Sequence, residues 1–231
     1  MPDVLTPERD LLNIRPRFFS AGHAGLALAL FSSSAAQAQI ARSLGVEARV
    51  LPMCETPVRT KVHTAAGVRG LQEYLIVDGG QPEVHGVELD GIAEAEPTKE
   101  VLEALRSAEA IVIGPSNPVI SIGPILAVPG MTEAISASTT PVVAVSPFVA
   151  GQVVKGPTER FMRALGRPST AAGVASLYTG LLDGMVVDED DPDPPPSEIP
   201  TLATKTLMEG AAGRARLARI VLDYAANLIP G

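Results

Sequence analysis

Three short strand-like runs that follow Pro97 constrain the fold more than any other feature of the chain. They are residues 110–113, 140–145 and 184–187, and the first two end in loops rich in Gly, Pro and Ser. Such apolar runs are typical of strands buried on both faces of a parallel sheet, with helices as crossovers. The alternation predicts an α/β fold: a Rossmann-like, doubly wound and mostly parallel sheet, with ligands bound beyond the carboxyl ends of its strands.

Helix signals lie around these runs. Thr98 is a candidate N-cap, and Pro157 suits the first position of a helix that Gly166 closes. Residues 168–182 have the apolar spacing of a further amphipathic helix. Each predicted strand therefore has a helical neighbour, as a doubly wound sheet requires.

The C-terminal region predicts one more strand and a long helix. Residues 201–205 are strand-like, and Thr206 with Glu209 three residues later forms a capping-box pattern ahead of apolar residues at helical spacing. We interpret the basic residues of this helix as its solvated face rather than as a phosphate site. They are Arg214, Arg216 and Arg219.

The first part of the chain has a different pattern. Residues 32–44 are rich in Ala, Ser and Gln and precede Gly45, which predicts a helix. Short β-type runs then predict a small, partly exposed antiparallel unit; they are residues 46–53, 58–64, 71–78 and 83–89. The predicted organisation is a helical segment 1–45, a β-rich subdomain 46–96 and an α/β core 97–231 with a solvated, acidic, Pro-rich loop 188–200.

Charge and composition exclude several classes of protein. The net charge of −8 argues against a surface that binds the nucleic-acid backbone. Cys54 is the only cysteine, so the chain has no internal disulfide and no multi-Cys zinc site; we interpret it as a small buried apolar residue. His63 and His85 are interpreted as surface or hydrogen-bonded histidines, and no stretch reaches the ~18 apolar residues of a membrane span. We expect a cytoplasmic protein.

One N-terminal segment imitates a secretory signal. Arg15 and Arg17 precede the apolar residues 24–31, and residues 36–38 read Ala-Gln-Ala. The apolar run is short and His23 interrupts its near side. The alternatives are a cleaved signal and an Ala-rich helix that packs on the domain.

Two loops are candidates for anion binding. The first spans 114–124 and directly follows a predicted buried strand; its candidate ligand-binding residues are Gly114, Pro115, Ser116, Asn117, Pro118 and Ser121. Backbone N–H groups, hydroxyls and an amide in such a loop can bind a phosphate, although the order of residues is neither a Walker loop nor a dinucleotide fingerprint. The alternative interpretation is a rigid Pro-rich connection.

The second loop spans 146–157 and also follows a predicted buried strand. Lys155 and Gly156 come just before a predicted helix, where an ammonium group and free N–H groups can converge on a phosphate. The alternative for Lys155 is an ordinary solvated loop lysine. Because both loops follow strands of the same predicted sheet, we expect them to lie at one edge of the sheet and to form one site together.

Acidic residues offer possible Mg²⁺ ligands, because that ion prefers hard oxygen donors. The candidates are Asp183, Asp188, Glu189, Asp190 and Asp191, and solvation of an acidic loop is the competing explanation. The order of Ser, His, Asp and Cys residues singles out no catalytic triad. Catalytic and metal-ligating residues are therefore left unassigned.

These segments together resemble a known family. The run AIVIGPSNPVISIGPIL (110–126), followed by PVVAVSPF (141–148) and VKGP (154–157), is similar to the CofD/FbiA family of 2-phospho-L-lactate transferases in coenzyme F-420 biosynthesis. Supporting segments are LPM (51–53), PVRT (57–60), QEY (72–74), AGV (172–174) and Tyr178. The similarity extends over about residues 44–222.

The resemblance implies a Mg²⁺-dependent transfer reaction. A phospholactyl or phosphoenolpyruvyl group would move from a guanylyl-pyrophosphate-linked donor to a ribityl hydroxyl of the deazaflavin precursor FO, with release of GMP. It places the donor at residues 114–121 and the phosphate charge near Lys155. The implied partners are these small molecules, and neither a nucleic acid nor a membrane.

The family's N-terminal motifs, a strand with a Gly-Gly-x-Gly-Gly loop and an Asn-Thr-Gly-Asp-Asp-like segment, do not occur in this sequence. We therefore keep as an alternative a truncated or diverged homologue that binds a phosphorylated nucleotide without catalysis. A sheet without its first βα unit would expose an apolar flank. Unless the helix predicted at 32–44 covers that flank, we expect a homodimer or aggregation.

Overall fold

The computed structural model of the protein describes residues 33–193 and 198–228. The chain divides into two compact units, Met1–Glu55 and Thr56–Gly231. The predicted three-part organisation stays a prediction. The apolar part of the signal-like segment, residues 24–31, lies outside the described residues.

In the first unit, the predicted helix is confirmed as α1, Ser33–Ser43. Gly45, with φ of +69°, follows its end and takes the left-handed conformation that closes many helices. The Glu55 carboxylate accepts hydrogen bonds from the backbone N–H groups of Ser33 and Ser34 at the helix start. The strand predicted at 46–53 is wrong, because most of this segment is irregular and an extended run becomes a strand only where it pairs with a neighbour.

The second unit begins with the predicted antiparallel sheet, which is confirmed. Its strands are β1 (Arg59–Thr64), β2 (Gly67–Gly70) and β3 (Gly86–Asp90), with β1 in the centre. On the polar face, Lys61 Nζ forms ion pairs with Glu88 and Asp90, each at 3.1 Å, and His63 Nε2 lies within hydrogen-bond distance of Glu88, at 3.3 Å. His63 is thus a surface histidine, as predicted, and His85 is exposed.

The strand predicted at 71–78 is wrong. Residues Glu73–Val77 form a π-helical turn that buries Tyr74 completely. Its ring packs edge-to-face on Phe161 with centroids 5.7 Å apart, and its hydroxyl lies 2.8 Å from the Pro82 carbonyl oxygen. Burying this ring against the core overrides the β-type pattern of the local sequence.

A four-stranded parallel sheet forms the centre of the second unit and confirms the predicted α/β class. Its order is β4 (Ile111–Ile113), β5 (Val142–Val145), β8 (Gly184–Asp188) and β9 (Thr201–Thr204), all parallel. Every residue of β5 and β8 is buried. The short hairpin strands β6 (Phe148–Val149) and β7 (Gln152–Val153) follow β5.

Helices flank this sheet. They are α2 (Lys99–Ser107), α3 (Gly123–Leu126), α4 (Met131–Ser136), α5 (Thr158–Ala164) and α6 (Ala171–Ser176). Thr98 caps α2 as predicted, since its hydroxyl accepts a hydrogen bond from the Val101 N–H at 3.2 Å. The helix predicted over 168–182 is wrong in extent. Thr170 caps α6, and Gly180 has a φ of +79°, which is incompatible with a continuing α-helix.

The C-terminal region contains the predicted strand β9 and a final helix, α7 (Gly210–Leu228). Leu217, Val221 and Ala225 of α7 pack on the valines of β5 and β8. The predicted capping box is wrong, because the Thr206 hydroxyl donates to Asp188 and α7 begins four residues later. Neither α7 nor another helix of the described residues is long and apolar enough to cross a membrane.

Candidate functional site

A cavity of about 220 Å³ lies beyond the carboxyl ends of the parallel strands. Its walls come from segments that follow β4, β5 and β9, together with the first residue of α5. The lining residues are Pro115, Asn117, Ser146, Pro147, Val149, Val153, Val154, Lys155, Thr158, Thr206, Leu207 and Met208. This is the edge at which open α/β sheets bind their ligands.

The first predicted loop supplies Asn117 to this cavity. The Asn117 Oδ1 accepts hydrogen bonds from the N–H groups of Val119 and Ile120 at 2.9 and 3.1 Å, and so caps the π-helical turn Pro118–Ile122. Its Nδ2 donates to the Thr158 Oγ1 at 3.1 Å. The amide therefore joins the first loop to the start of α5, in addition to lining the cavity.

The structure brings the two predicted loops together but places only some of the candidate residues on the cavity wall. Pro115, Asn117 and Lys155 line it. The other candidates, Gly114, Ser116, Pro118, Ser121 and Gly156, are not among its lining residues. Ser116 and Ser121 are exposed, whereas Pro118 is buried as the first residue of the π-helical turn. The phosphate-binding role of all eight stays a prediction.

The hairpin of β6 and β7 forms one wall through Val149 and Val153. Its two-residue turn consists of Ala150, with φ of +49°, and Gly151, with φ of +73°. Positive φ at both positions is what the type I′ turn of a tight hairpin requires. Ala150 is the one non-glycine residue with positive φ in the described part of the chain, and this conformation costs an alanine about 1 kcal/mol.

Asp188 stands behind this wall at the end of β8. The prediction that it belongs to a solvated loop is wrong, since Asp188 is 4% exposed. Its Oδ1 accepts hydrogen bonds from the N–H groups of Ala150 and Asp190 at 3.1 and 3.3 Å. Its Oδ2 accepts them from the Thr206 N–H and hydroxyl at 2.8 and 3.0 Å. Burial raises the Asp188 pKa, but these hydrogen bonds outweigh it and hold the pKa below its ordinary value.

Asp191 lies three residues after Asp188, and its pKa is shifted in the opposite direction. Both of its carboxylate oxygens are buried and have no hydrogen-bond partner among the described residues. Burial raises the Asp191 pKa above its ordinary value; the nearby Gly151 N–H opposes this rise in part, and the charges of Asp193 and Asp188 add to it. The two neighbouring aspartates are thus not interchangeable.

The described residues around the cavity offer no group of ligands for Mg²⁺, and the predicted Mg²⁺ requirement stays a prediction. No Asp, Glu, His or Cys lines the cavity, and among the described residues no group of three such side chains is placed to hold a metal ion. The oxygens of Asp188 are already engaged by N–H and O–H donors. A carboxylate ligand to Mg²⁺ needs a lone pair directed at the ion, and the lone pairs of Asp188 are directed at these donors instead.

Sequence reasoning missed part of the cavity wall. Leu207 and Met208 follow β9 and are 42% and 41% exposed, and Thr206 anchors them through Asp188. These residues read as the start of a helix in the sequence. A usable signal was the strand at 201–204, because a residue just after a parallel strand lies at the ligand-binding edge. Cys54 is buried in the first unit, as predicted.

Comparison with known proteins identifies relatives of this chain. The family model described as "2-phospho-L-lactate transferase CofD" matches residues 25–209. The 2-phospho-L-lactate transferase of Methanosarcina mazei is 44% identical over 147 residues, which are 64% of this chain and 48% of the relative. That of Methanococcoides burtonii is 38% identical over 188 residues, or 80% of this chain and 61% of the relative. The chain thus spans about half to three-fifths of the length of these relatives.

Solved structures show the same fold. The crystal structure of a UPF0052-family protein from Bacillus halodurans matches with a TM-score of 0.58 and 20% sequence identity. The match covers 85% of this chain and 69% of that protein. At this identity, the likeness concerns the architecture alone.

Proposed function

The chain belongs to the 2-phospho-L-lactate transferase CofD family, and we propose that it acts in the transfer reaction for which that family is named. The donor is a guanylyl-pyrophosphate-linked lactate or enolpyruvate, and the acceptor is a ribityl hydroxyl of the deazaflavin precursor FO. The acceptor oxygen forms a bond to the phosphorus that carries the lactyl or enolpyruvyl group. The bond from that phosphorus to the bridging oxygen breaks, the hydroxyl proton is released, and GMP leaves.

One observation supports the donor's location. The loops after β4 and β5 share one cavity, with Asn117 and Thr158 hydrogen-bonded to each other and Lys155 on the same wall. A cation and fixed dipoles in a cleft favour a pyrophosphate and stabilise the charge that builds up on the leaving phosphate. Val154 and Met208 offer an apolar rim for the uncharged part of a ligand.

A second candidate function is nucleotide binding without transfer. The lining residues include no Asp, Glu or His, so the described cavity wall carries no side chain that is an obvious general base for the acceptor hydroxyl. Such a wall suffices to bind an anion. An assay of purified protein with donor and FO, followed by chromatography for GMP and the charged product, separates the two functions. Reactions with and without Mg²⁺ test the predicted metal requirement.

The phosphate end of the site is tested by Lys155→Met. We expect affinity for GDP to fall several-fold and affinity for guanosine to stay unchanged, because the lost interaction is electrostatic and confined to the phosphates. Calorimetric titration gives both constants, and Lys99→Met, an exposed lysine on α2, is the matched control. Equal losses for GDP and guanosine would contradict a phosphate contact by Lys155.

Ser116→Ala tests the first loop. Because Ser116 is exposed and does not line the cavity, we expect a weaker effect on nucleotide affinity than that of Lys155→Met, with the fold unchanged. Unchanged affinity would make this part of the loop a structural connection.

A further inference from the structure

Asp188 occupies a distinctive position in the parallel sheet. It is the last residue of β8, which lies between β5 and β9, and its side chain is almost fully buried. The segments that continue beyond β5 and β9 form two parts of the cavity wall. Asp188 itself does not line the cavity, so whatever it contributes to a ligand it contributes through its neighbours.

The two carboxylate oxygens are divided between these neighbours. Oδ1 accepts the Ala150 N–H of the β6–β7 hairpin, and Oδ2 accepts both the N–H and the hydroxyl of Thr206. Ala150 is 38 residues before Asp188, and Thr206 is 18 residues after it. The Asp188 side chain thus connects two segments that lie far apart in the sequence.

The hairpin needs such a connection. Its turn holds Ala150 at a φ of +49°, which an alanine leaves readily when nothing restrains it. Strained backbone of this kind persists only where surrounding interactions hold it, and it is concentrated at ligand-binding sites. The hydrogen bond from the Ala150 N–H to Asp188 supplies that restraint directly behind Val149 and Val153.

We propose that Asp188 is a positioning residue that holds the hairpin 148–153 and the segment 206–208 at the spacing at which the cavity binds a phosphorylated ligand. The ligand part of this inference rests on the proposed function. A carboxylate suits the task, because every neighbour directs a donor at it and neither oxygen needs to donate. An asparagine would direct an N–H₂ group at the donors on one side, and because it carries no charge it would also weaken the hydrogen bonds on the other side.

The test uses Asp188→Asn in the full chain, with two measurements. In hydrogen exchange followed by mass spectrometry, we expect faster exchange in both 148–153 and 206–208, with unchanged exchange in β4 and β5. In calorimetric titration well below the melting transition, we expect the Kd for GDP to rise about tenfold, the loss typical of hydrogen bonds to a buried charge. Thr206→Val is the matched control, since it removes one donor, and we expect faster exchange in 206–208 alone.

The outcomes separate this inference from the proposed function. Faster exchange throughout the sheet, or an unchanged Kd for GDP in Asp188→Asn, overturns the positioning role. If Asp188→Asn does not fold, Thr206→Val decides: unchanged exchange in 206–208 and unchanged affinity overturn the role. A wild-type protein that binds neither GDP nor inorganic pyrophosphate overturns the proposed function, and the exchange pattern then still decides whether Asp188 holds both walls.

Discussion

Two walls of the cavity are each held in place by one polar side chain, Asn117 in one and Asp188 in the other. The two side chains differ in how far away in the sequence their hydrogen-bond partners lie. Asn117 accepts N–H groups two and three residues ahead in its own loop and makes one bond to a distant hydroxyl, that of Thr158. Asp188 carries a charge, is more deeply buried and makes most of its bonds to distant segments. The loop after β4, which we call the Asn117 wall, is therefore largely a local structure. The hairpin 148–153 and the segment 206–208, which we call the Asp188 wall, depend on the assembled sheet.

This difference has an energetic consequence. A local cap forms as soon as its own turn forms, and its loss leaves the rest of the fold in place. A buried charge that joins three segments is stable only when all its donors are present, and its loss leaves several of them unpaired. We therefore expect substitutions on the Asp188 wall to cost more stability and to spread further through the structure.

Asp188→Ala should have the largest effect. We expect it to lower the free energy of unfolding by about 3 kcal/mol, because it leaves the buried N–H and hydroxyl of Thr206 and the half-buried N–H of Ala150 without an acceptor. Chemical denaturation followed by circular dichroism measures this loss. A cost no greater than that of Asn117→Ala would break the comparison between the two walls.

Asn117→Ala should cost about 2 kcal/mol, since it removes the cap of a π-helical turn and the partner of Thr158. Asn117→Asp is the matched control. It keeps the acceptor oxygen for the Val119 and Ile120 N–H groups, and the Thr158 hydroxyl can donate to it. Full stability in Asn117→Asp with a loss in Asn117→Ala would show that side-chain oxygens suffice for both the cap and the Thr158 contact. Equal losses in both would show that the amide N–H₂ is what matters.

The contrast between local and long-range hydrogen bonds also explains which features of the structure the sequence predicts and which it does not. The parallel strands, the Thr98 cap and the meeting of the loops after β4 and β5 follow from short-range patterns, and the structure contains them. The role of Asp188 was invisible, because its position among Pro and acidic residues resembles a solvated loop and its partners lie 18 and 38 residues away. For the same reason the sequence predicts a helix cap at Thr206, whereas its hydroxyl donates to Asp188.

The two aspartates near the hairpin should respond oppositely to substitution at neutral pH. The lowered Asp188 pKa stabilises the fold above the ordinary value of 3.8, and this stability is lost as the pH falls through the folded-state pKa. The raised Asp191 pKa means that its charged form is disfavoured in the fold, so the protein loses stability as the pH rises through that pKa. Asp191→Asn should therefore raise stability at neutral pH.

Melting temperatures of wild type, Asp188→Asn and Asp191→Asn across about pH 3 to pH 8 test these signs. We expect Asp188→Asn to melt lower and Asp191→Asn to melt higher than wild type at neutral pH. Both differences should shrink toward the acid end, where the carboxyl groups of the wild type become protonated. A destabilised Asp191→Asn at neutral pH would mean that the Asp191 charge has a stabilising partner.

Thr158→Val should have the smallest effect and tests the one distant bond of the Asn117 wall. Valine keeps the shape of the buried threonine but removes the hydroxyl that accepts from the Asn117 Nδ2. Because Asn117 is only half-buried, water can replace this partner, and we expect a loss of about 0.5 to 1 kcal/mol by chemical denaturation. Thr158→Ser, which keeps the hydroxyl, is the control. If Thr158→Val costs as much as Asn117→Ala, the Asn117 wall is held by its contact with α5 rather than by its local cap, and the distinction between the walls fails.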